Sequence, residues 1–168
     1  MLIAAAVAVP AFAATPPQKR TLRTIGGPEF KANRFVQDTM RFSRDRTVIR
    51  RGGKLRLVDK TDQPHTFSVV RKDQLPGTLR QMENCFGPGP CDDLAVAHGA
   101  INPETGEEQD PTTPLVNVGP EGFNEPGDSV LIPPGGKVTV DITGAKDLYY
   151  LCALHPWMLG KIDVRRAG

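Results

Sequence analysis

Apolar and polar residues alternate along several short stretches of the chain. Lys54-Leu55-Arg56-Leu57-Val58 and Lys137-Val138-Thr139-Val140-Asp141-Ile142 send every second side chain to one face, the period of a half-buried β-strand. Residues 66–70, 148–152 and 161–164 read as further strands, 47–49 as a short one, and 30–36 and 39–42 carry a mixed pattern. Gly52-Gly53 and Pro133-Pro134-Gly135-Gly136 separate them as turns. Short strands divided by Gly/Pro turns predict an all-β, antiparallel sandwich rather than a parallel sheet. One long segment breaks the pattern. Residues 72–128 are acidic, rich in proline and glycine and poor in β-branched side chains. Within it 78–84 and 92–98 can each form a helical turn or two, and the rest reads as an irregular insertion. A loop this long is uncommon inside a compact domain.

At 168 residues the chain suits one domain with a substantial core. The expected division is a signal peptide over 1–14, a flexible polar lead-in over 15–27 and a single domain over 28–168 that includes the insertion 72–128. The opening run MLIAAAVAVPAFAAT is apolar and ends in Ala11-Phe12-Ala13, the small-residue pattern of a secretory cleavage site. No Lys or Arg precedes it, and the alternative is a buried N-terminal strand. It is too short to span a bilayer, so no stable membrane insertion is expected after cleavage. Net charge is +2, which does not point to nucleic acid. The balance conceals an asymmetry: 13 Lys/Arg against 4 Asp/Glu from Lys19 to Lys60, and 2 against 11 from Lys72 to Asp128. That split has three readings: internal pairing, two docking faces for different partners, or a solvated surface.

Three cysteines carry the chemistry further. Cys85 and Cys91 bracket Phe86-Gly87-Pro88-Gly89-Pro90, whose turn formers let the chain double back. In an exported protein that spacing reads as a disulfide; a metal-binding pair is the alternative, with only His98 nearby. Cys152 is then left over, and an odd cysteine in a secreted chain needs an explanation. It lies in Cys152-Ala153-Leu154-His155-Pro156-Trp157-Met158, which sets thiolate, imidazole and thioether at Cys-x2-His-x2-Met. Singly, Cys152 and Met158 would read as core residues. Together they form a soft donor set that selects copper over hard cations. One more histidine is needed from a distant strand. Of three histidines, His65 in Gln63-Pro64-His65-Thr66 sits at a turn entering a strand, whereas His98 lies in the insertion and reads as a surface or helix-end residue.

Pro64-His65 followed by Cys152-x2-His155-Pro156-Trp157-Met158-x-Gly160-Lys161 resembles the cupredoxins, the small blue-copper proteins. The loop has the order and spacing of amicyanin, and plastocyanin is similar with a longer His-to-Met interval. The resemblance covers about 30–70 and 133–164 and leaves out the insertion. It implies a Greek-key β-sandwich with copper at one end, His65, Cys152 and His155 as equatorial ligands and Met158 as the axial one. It also implies electron shuttling outside the cytoplasm. Many relatives have Asn after the first histidine, tying the two ligand loops together; here Thr66 stands there. Relatives also have a far shorter connection between that histidine and the cysteine.

The expectation is therefore a monomeric, exported protein, periplasmic or extracellular. It would hold one copper per chain, cycle it between Cu(I) and Cu(II) with a redox partner protein, and perform no catalysis. Such a donor set tolerates both oxidation states and needs no open position for substrate. Trp157 and Pro156 read as an apolar rim for docking or, equally, as core. A Cys152–His155 nucleophile pair lacks an orienting third group and leaves Met158 unexplained. Three histidines cannot build an oxygen-reducing cluster, and thioether is a poor zinc ligand. The rival readings are a non-redox copper carrier or sensor on the same fold, and an interaction module stapled by its metal.

Overall fold

The computed structural model describes residues 18–166; the signal-peptide reading of 1–14 lies outside them. Two sheets pack face to face. The first has the order β10-β6-β1-β4, formed by β10 (Lys137–Ile142), β6 (Gly53–Asp59), β1 (Lys19–Ile25) and β4 (Arg41–Phe42). The second has the order β5-β12-β11-β7-β9-β8: β5 (Arg46–Arg50), β12 (Leu159–Arg165), β11 (Leu148–Leu151), β7 (His65–Val70), β9 (Ser129–Ile132) and β8 (Leu115–Val116). Alternation puts Leu22, Leu55 and Leu57 of the first sheet against Phe67, Val69, Ile132 and Tyr150 of the second, all buried in one core. Phe67 lies 4.6 Å from Tyr150 and 5.7 Å from Phe123, ring centre to ring centre. Gly160 faces Tyr150 across the β11–β12 pair. A Cβ there would sit 2.6 Å from Cζ of that ring and 2.7 Å from the Asp45 carbonyl oxygen, so only glycine lets β12 pass.

The β-sandwich agrees with the alternation, with three corrections. Residues 19–25 do not form a flexible lead-in. They are β1, whose Leu22 and Thr24 point inward and are buried. With only Leu22 and Ile25 as large apolar residues in seven, the strand was masked by its outward Lys19, Thr21 and Arg23. Second, the pairing is not wholly antiparallel: β1 runs parallel to β6, and β5 parallel to β12. The chain crosses between sheets, so neighbours come from distant parts of the sequence. Third, the mixed 30–36 stretch is a hairpin of β2 (Pro28–Lys31) and β3 (Phe35–Asp38), exposed along its whole length. It leaves Phe30 at 76% and Val36 at 82% of full exposure.

The insertion is not loose. It contains α1 (Leu79–Glu83), capped by the Thr78 hydroxyl, and α2 (Pro90–Ala97), which begins with proline at its first turn. Cys85 and Cys91 are joined by a disulfide. Closing so short a loop removes about 2 kcal/mol of unfolded-chain freedom. The bridge packs with Leu94 against Val70, Leu151 and Ala153, a second small core. Those residues alternate with the inward-facing Val69, Tyr150 and Cys152, so the insertion covers the outer face of the second sheet. The outer face of the first sheet carries exposed Lys19, Arg23, Lys54, Arg56 and Lys137. The two broad faces of the sandwich thus have opposite charge. Among the described residues no ion pair joins the basic 19–60 stretch to the acidic insertion, which removes internal pairing as the reason for the split.

Candidate metal centre

His65 opens β7, and Cys152 follows β11 directly. The β7–β11 pairing, with Tyr150 opposite Val69, brings the two ends together. A tight turn then returns the chain. The His155 N–H donates to the Cys152 carbonyl (3.2 Å), the Met158 N–H to the His155 carbonyl (2.8 Å) and the Cys152 N–H to the Met158 carbonyl (2.8 Å). The donor atoms of His65, Cys152 and His155 all lie within 4.8 Å of one another, and all three residues are buried. Cys152 Sγ is 3.8 Å from His65 Nδ1 and 3.6 Å from His155 Nδ1. Met158 is buried against the main core beside Cys152.

The ring nitrogens facing away from the sulfur settle the tautomers. His155 Nε2 meets Gln63 Oε1 at 3.1 Å. An amide oxygen only accepts, so Nε2 carries the proton and Nδ1 has a free lone pair. His65 Nε2 meets Thr61 Oγ1 at 2.8 Å, with Asp59 Oδ1 at 3.7 Å. The Thr61 hydroxyl spends its own proton on Asp59 Oδ1 (2.9 Å), so it accepts from His65 Nε2. Both histidines therefore aim bare Nδ1 atoms at the thiol. A trigonal ion about 2.0 Å from nitrogen and about 2.3 Å from sulfur requires N–S separations of about 3.7 Å, close to the two distances found here.

Asp59 is the anchor of this second layer. Burial raises its pKa, but hydrogen bonds from the Thr24 hydroxyl, the Gly135 N–H and Thr61 outweigh that and hold it below the usual carboxylate value. Burial pushes the Cys152 thiol up, against opposing N–H groups of Thr66, Leu154 and His155; a bound metal would be what draws off its proton. Thr66 ties the ligand loops together twice. Its N–H points at Cys152 Sγ (3.2 Å), and its hydroxyl accepts the Ala153 N–H (2.7 Å). Asp59, Thr61 and Gln63 were not singled out from the sequence. Their only signal was the two-residue spacing of polar groups leading to His65.

Trp157 is 38% exposed, stands edge-on to His155 at 5.3 Å and donates its Nε1–H to the Met40 carbonyl (3.1 Å). It belongs to the rim rather than the core. His98 ends α2, but it is fully buried rather than on the surface. The insertion covers it against the sheet, something the helix end alone does not reveal.

Burial lowers the pKa of His65, with repulsion from His155 adding to it against the attraction of Asp59 and Asp38, to about 4. Burial also lowers His155 and His98. In the unfolded chain these rings take up protons below about pH 6.5, while the folded chain resists. Stability of the metal-free protein is therefore complete above about pH 6.5 and falls as pH drops towards 4. His65 alone accounts for about 3 kcal/mol of that fall. Thermal unfolding across this window is expected to show a steadily declining Tm; a flat profile would contradict neutral, buried rings.

No family model matches the chain, and no curated protein does. Among solved structures, a purple cupredoxin from Nitrosopumilus maritimus is 12% identical, covering 86% of this chain and 98% of its own, with a TM-score of 0.43. Auracyanin A from Chloroflexus aurantiacus is 16% identical over 89% and 99%, with a TM-score of 0.44. A reduced amicyanin variant is 12% identical over 88% and 83%, with a TM-score of 0.43. Purple cupredoxin, auracyanin and amicyanin are thus among the solved structures this chain resembles, as is a multicopper oxidase at 14% identity with a TM-score of 0.38, and by its own geometry the buried group of His65, Cys152 and His155 fits a type 1 copper site.

Proposed function

We propose that this chain is an exported type 1 copper protein that passes single electrons between redox partners. The observation that carries the reading is the buried trio itself: one thiol and two imidazoles, the latter held by Gln63 and Thr61 so that their free lone pairs converge on Cys152 Sγ. Copper held there by His65, Cys152, His155 and Met158 would supply a one-electron couple. The chain's own residues do the rest. Gln63, Thr61 and Asp59 fix ring orientation, so changing oxidation state requires little movement. Burial excludes water from the donors.

The surroundings favour brief docking over catalysis. Trp157 gives a part-exposed aromatic edge beside His155 and is tethered through the Met40 carbonyl to the segment that follows the exposed hairpin of Phe30, Phe35 and Val36. A cleft of about 470 Å³ opens next to it, between Gln63, His155 and the insertion, walled by Asp92, Glu108 and Asp110. Its charge favours a partner that presents basic side chains.

The test is a Cu(II) titration of purified protein, followed by visible absorption and by emission of Trp157, the single tryptophan. The expected result is an intense thiolate-to-copper band that saturates at one equivalent, with parallel quenching and reversible one-electron reduction at constant copper content. Full occupancy without colour would sink the type 1 reading. Colour with ready loss of copper on reduction would favour a carrier.

A further inference from the structure

A chain of buried hydrogen bonds runs from the insertion to the ligand loops. His98 Nδ1 meets the Thr113 carbonyl at 2.7 Å, and its Nε2 meets Ser129 Oγ at 2.7 Å. Ser129 Oγ is 2.6 Å from Ser68 Oγ, which is 2.8 Å from Thr66 Oγ1. Thr66 Oγ1 accepts the Ala153 N–H at 2.7 Å. All four side chains are fully buried. Thr66 and Ser68 share the outer face of β7, and Ser129 is paired directly opposite Ser68 on β9. The insertion covers this row and adds His98 at its end.

Both ends of the chain have fixed polarity. The Thr113 carbonyl can only accept, so His98 carries its proton on Nδ1 and leaves Nε2 bare. Ser129 must then donate to His98, Ser68 to Ser129 and Thr66 to Ser68. At the other end the Ala153 N–H can only donate, which agrees with Thr66 accepting there. Each hydroxyl has one proton, and every one is spent in the same direction, away from the metal site. The Thr66 hydroxyl is within hydrogen-bonding reach of Cys152 Sγ, where its proton would lower the thiol's pKa; in the order above that proton goes to Ser68 instead. The sulfur therefore keeps the Thr66 backbone N–H without a second hydrogen bond from that residue. Hydrogen bonds to the cysteine sulfur tune the potential of a blue-copper site.

The structure assigns His98 as a positioning residue for the Cys152 sulfur, acting through Ser129, Ser68 and Thr66 to keep the Thr66 hydroxyl turned away from it. The assignment rests on the copper reading above. It gives the insertion a role at the site that does not require contact with the metal.

Ser68→Ala deletes one atom and breaks the chain. The Thr66 proton then has Cys152 Sγ as its remaining acceptor. An added hydrogen bond withdraws charge from the thiolate and favours Cu(I). The expected result is at least a threefold shift of the redox equilibrium towards the reduced form, with the charge-transfer band moved to higher energy. Ser129→Ala should shift it the same way. Thr66→Val removes the hydroxyl, so adding Ser68→Ala to it should have no further effect. A Ser68→Ala potential equal to wild type, or an undiminished Ser68→Ala effect in the Thr66→Val background, would overturn the assignment. A merely structural role would change stability and leave that cycle additive. A separate arm needs no metal: long-range proton–nitrogen NMR of the metal-free protein should show His98 protonated at Nδ1 only. Protonation at Nε2 would reverse the chain and overturn the proposal. Failure of the wild-type protein to colour with Cu(II) would instead refute the copper reading, and the NMR arm distinguishes the two.

Discussion

Cys152→Ser is expected to abolish the visible charge-transfer band entirely. The band requires a thiolate on the metal, and the serine hydroxyl does not ionise near neutral pH. Serine is nearly the same size, so the turn closed by Met158 and His155 should persist. Its cost to the fold is that of burying a hydroxyl, about 1–3 kcal/mol, offset in part by the Thr66 and Leu154 N–H groups already aimed at this position. Metal-free stability should therefore change modestly while colour is lost completely. Absorption spectra at equal copper loading make the comparison, and a variant that keeps the band would show that the sulfur is not a ligand.

Asp59→Ala is expected to have the largest effect on stability. The carboxylate is buried and joins three parts of the structure: Thr24 on β1, Thr61 in the turn before His65 and the Gly135 N–H (2.7 Å) in the turn before β10. Truncation leaves those donors without an acceptor in a site too covered for easy solvation. The expected loss is about 3–5 kcal/mol, by analogy with breaking a buried charged network. Asp59→Asn should lose less, because one oxygen still accepts. Denaturant unfolding of the metal-free proteins measures both. The same change frees Thr61 from its role at His65 Nε2, so copper release to a chelator should quicken. Equal stability of Asp59→Ala and wild type would remove Asp59 from the account of the site.

The donor loop was legible in the sequence because Cys152, His155 and Met158 sit within seven residues, a spacing that depends on one local turn. His65 could be named because the chain has few histidines. The clear alternation of β6 and β10 made the sandwich legible. What was not legible depends on tertiary cover. β1 hides its inward face behind a row of cations, and β9 is only four residues long at the close of the insertion. His98 sits at a helix end in sequence terms, and its burial comes from the sheet beneath it. Gln63 and Thr61 are ordinary polar turn residues until the fold sets them against the far edges of the two imidazoles.

The opposed charges on the two broad faces have a consequence beyond either face alone. They give the molecule a permanent electric moment directed across the sheets, from the acidic insertion to the cationic strands β1 and β6. Near any charged body this moment exerts a torque, and the molecule turns before it touches. Rotation of this kind restricts the orientations sampled in an encounter and so raises the fraction of productive collisions. At physiological ionic strength the field fades over about 8 Å, so the alignment is confined to the last stage of approach. In dilute salt it reaches several times farther.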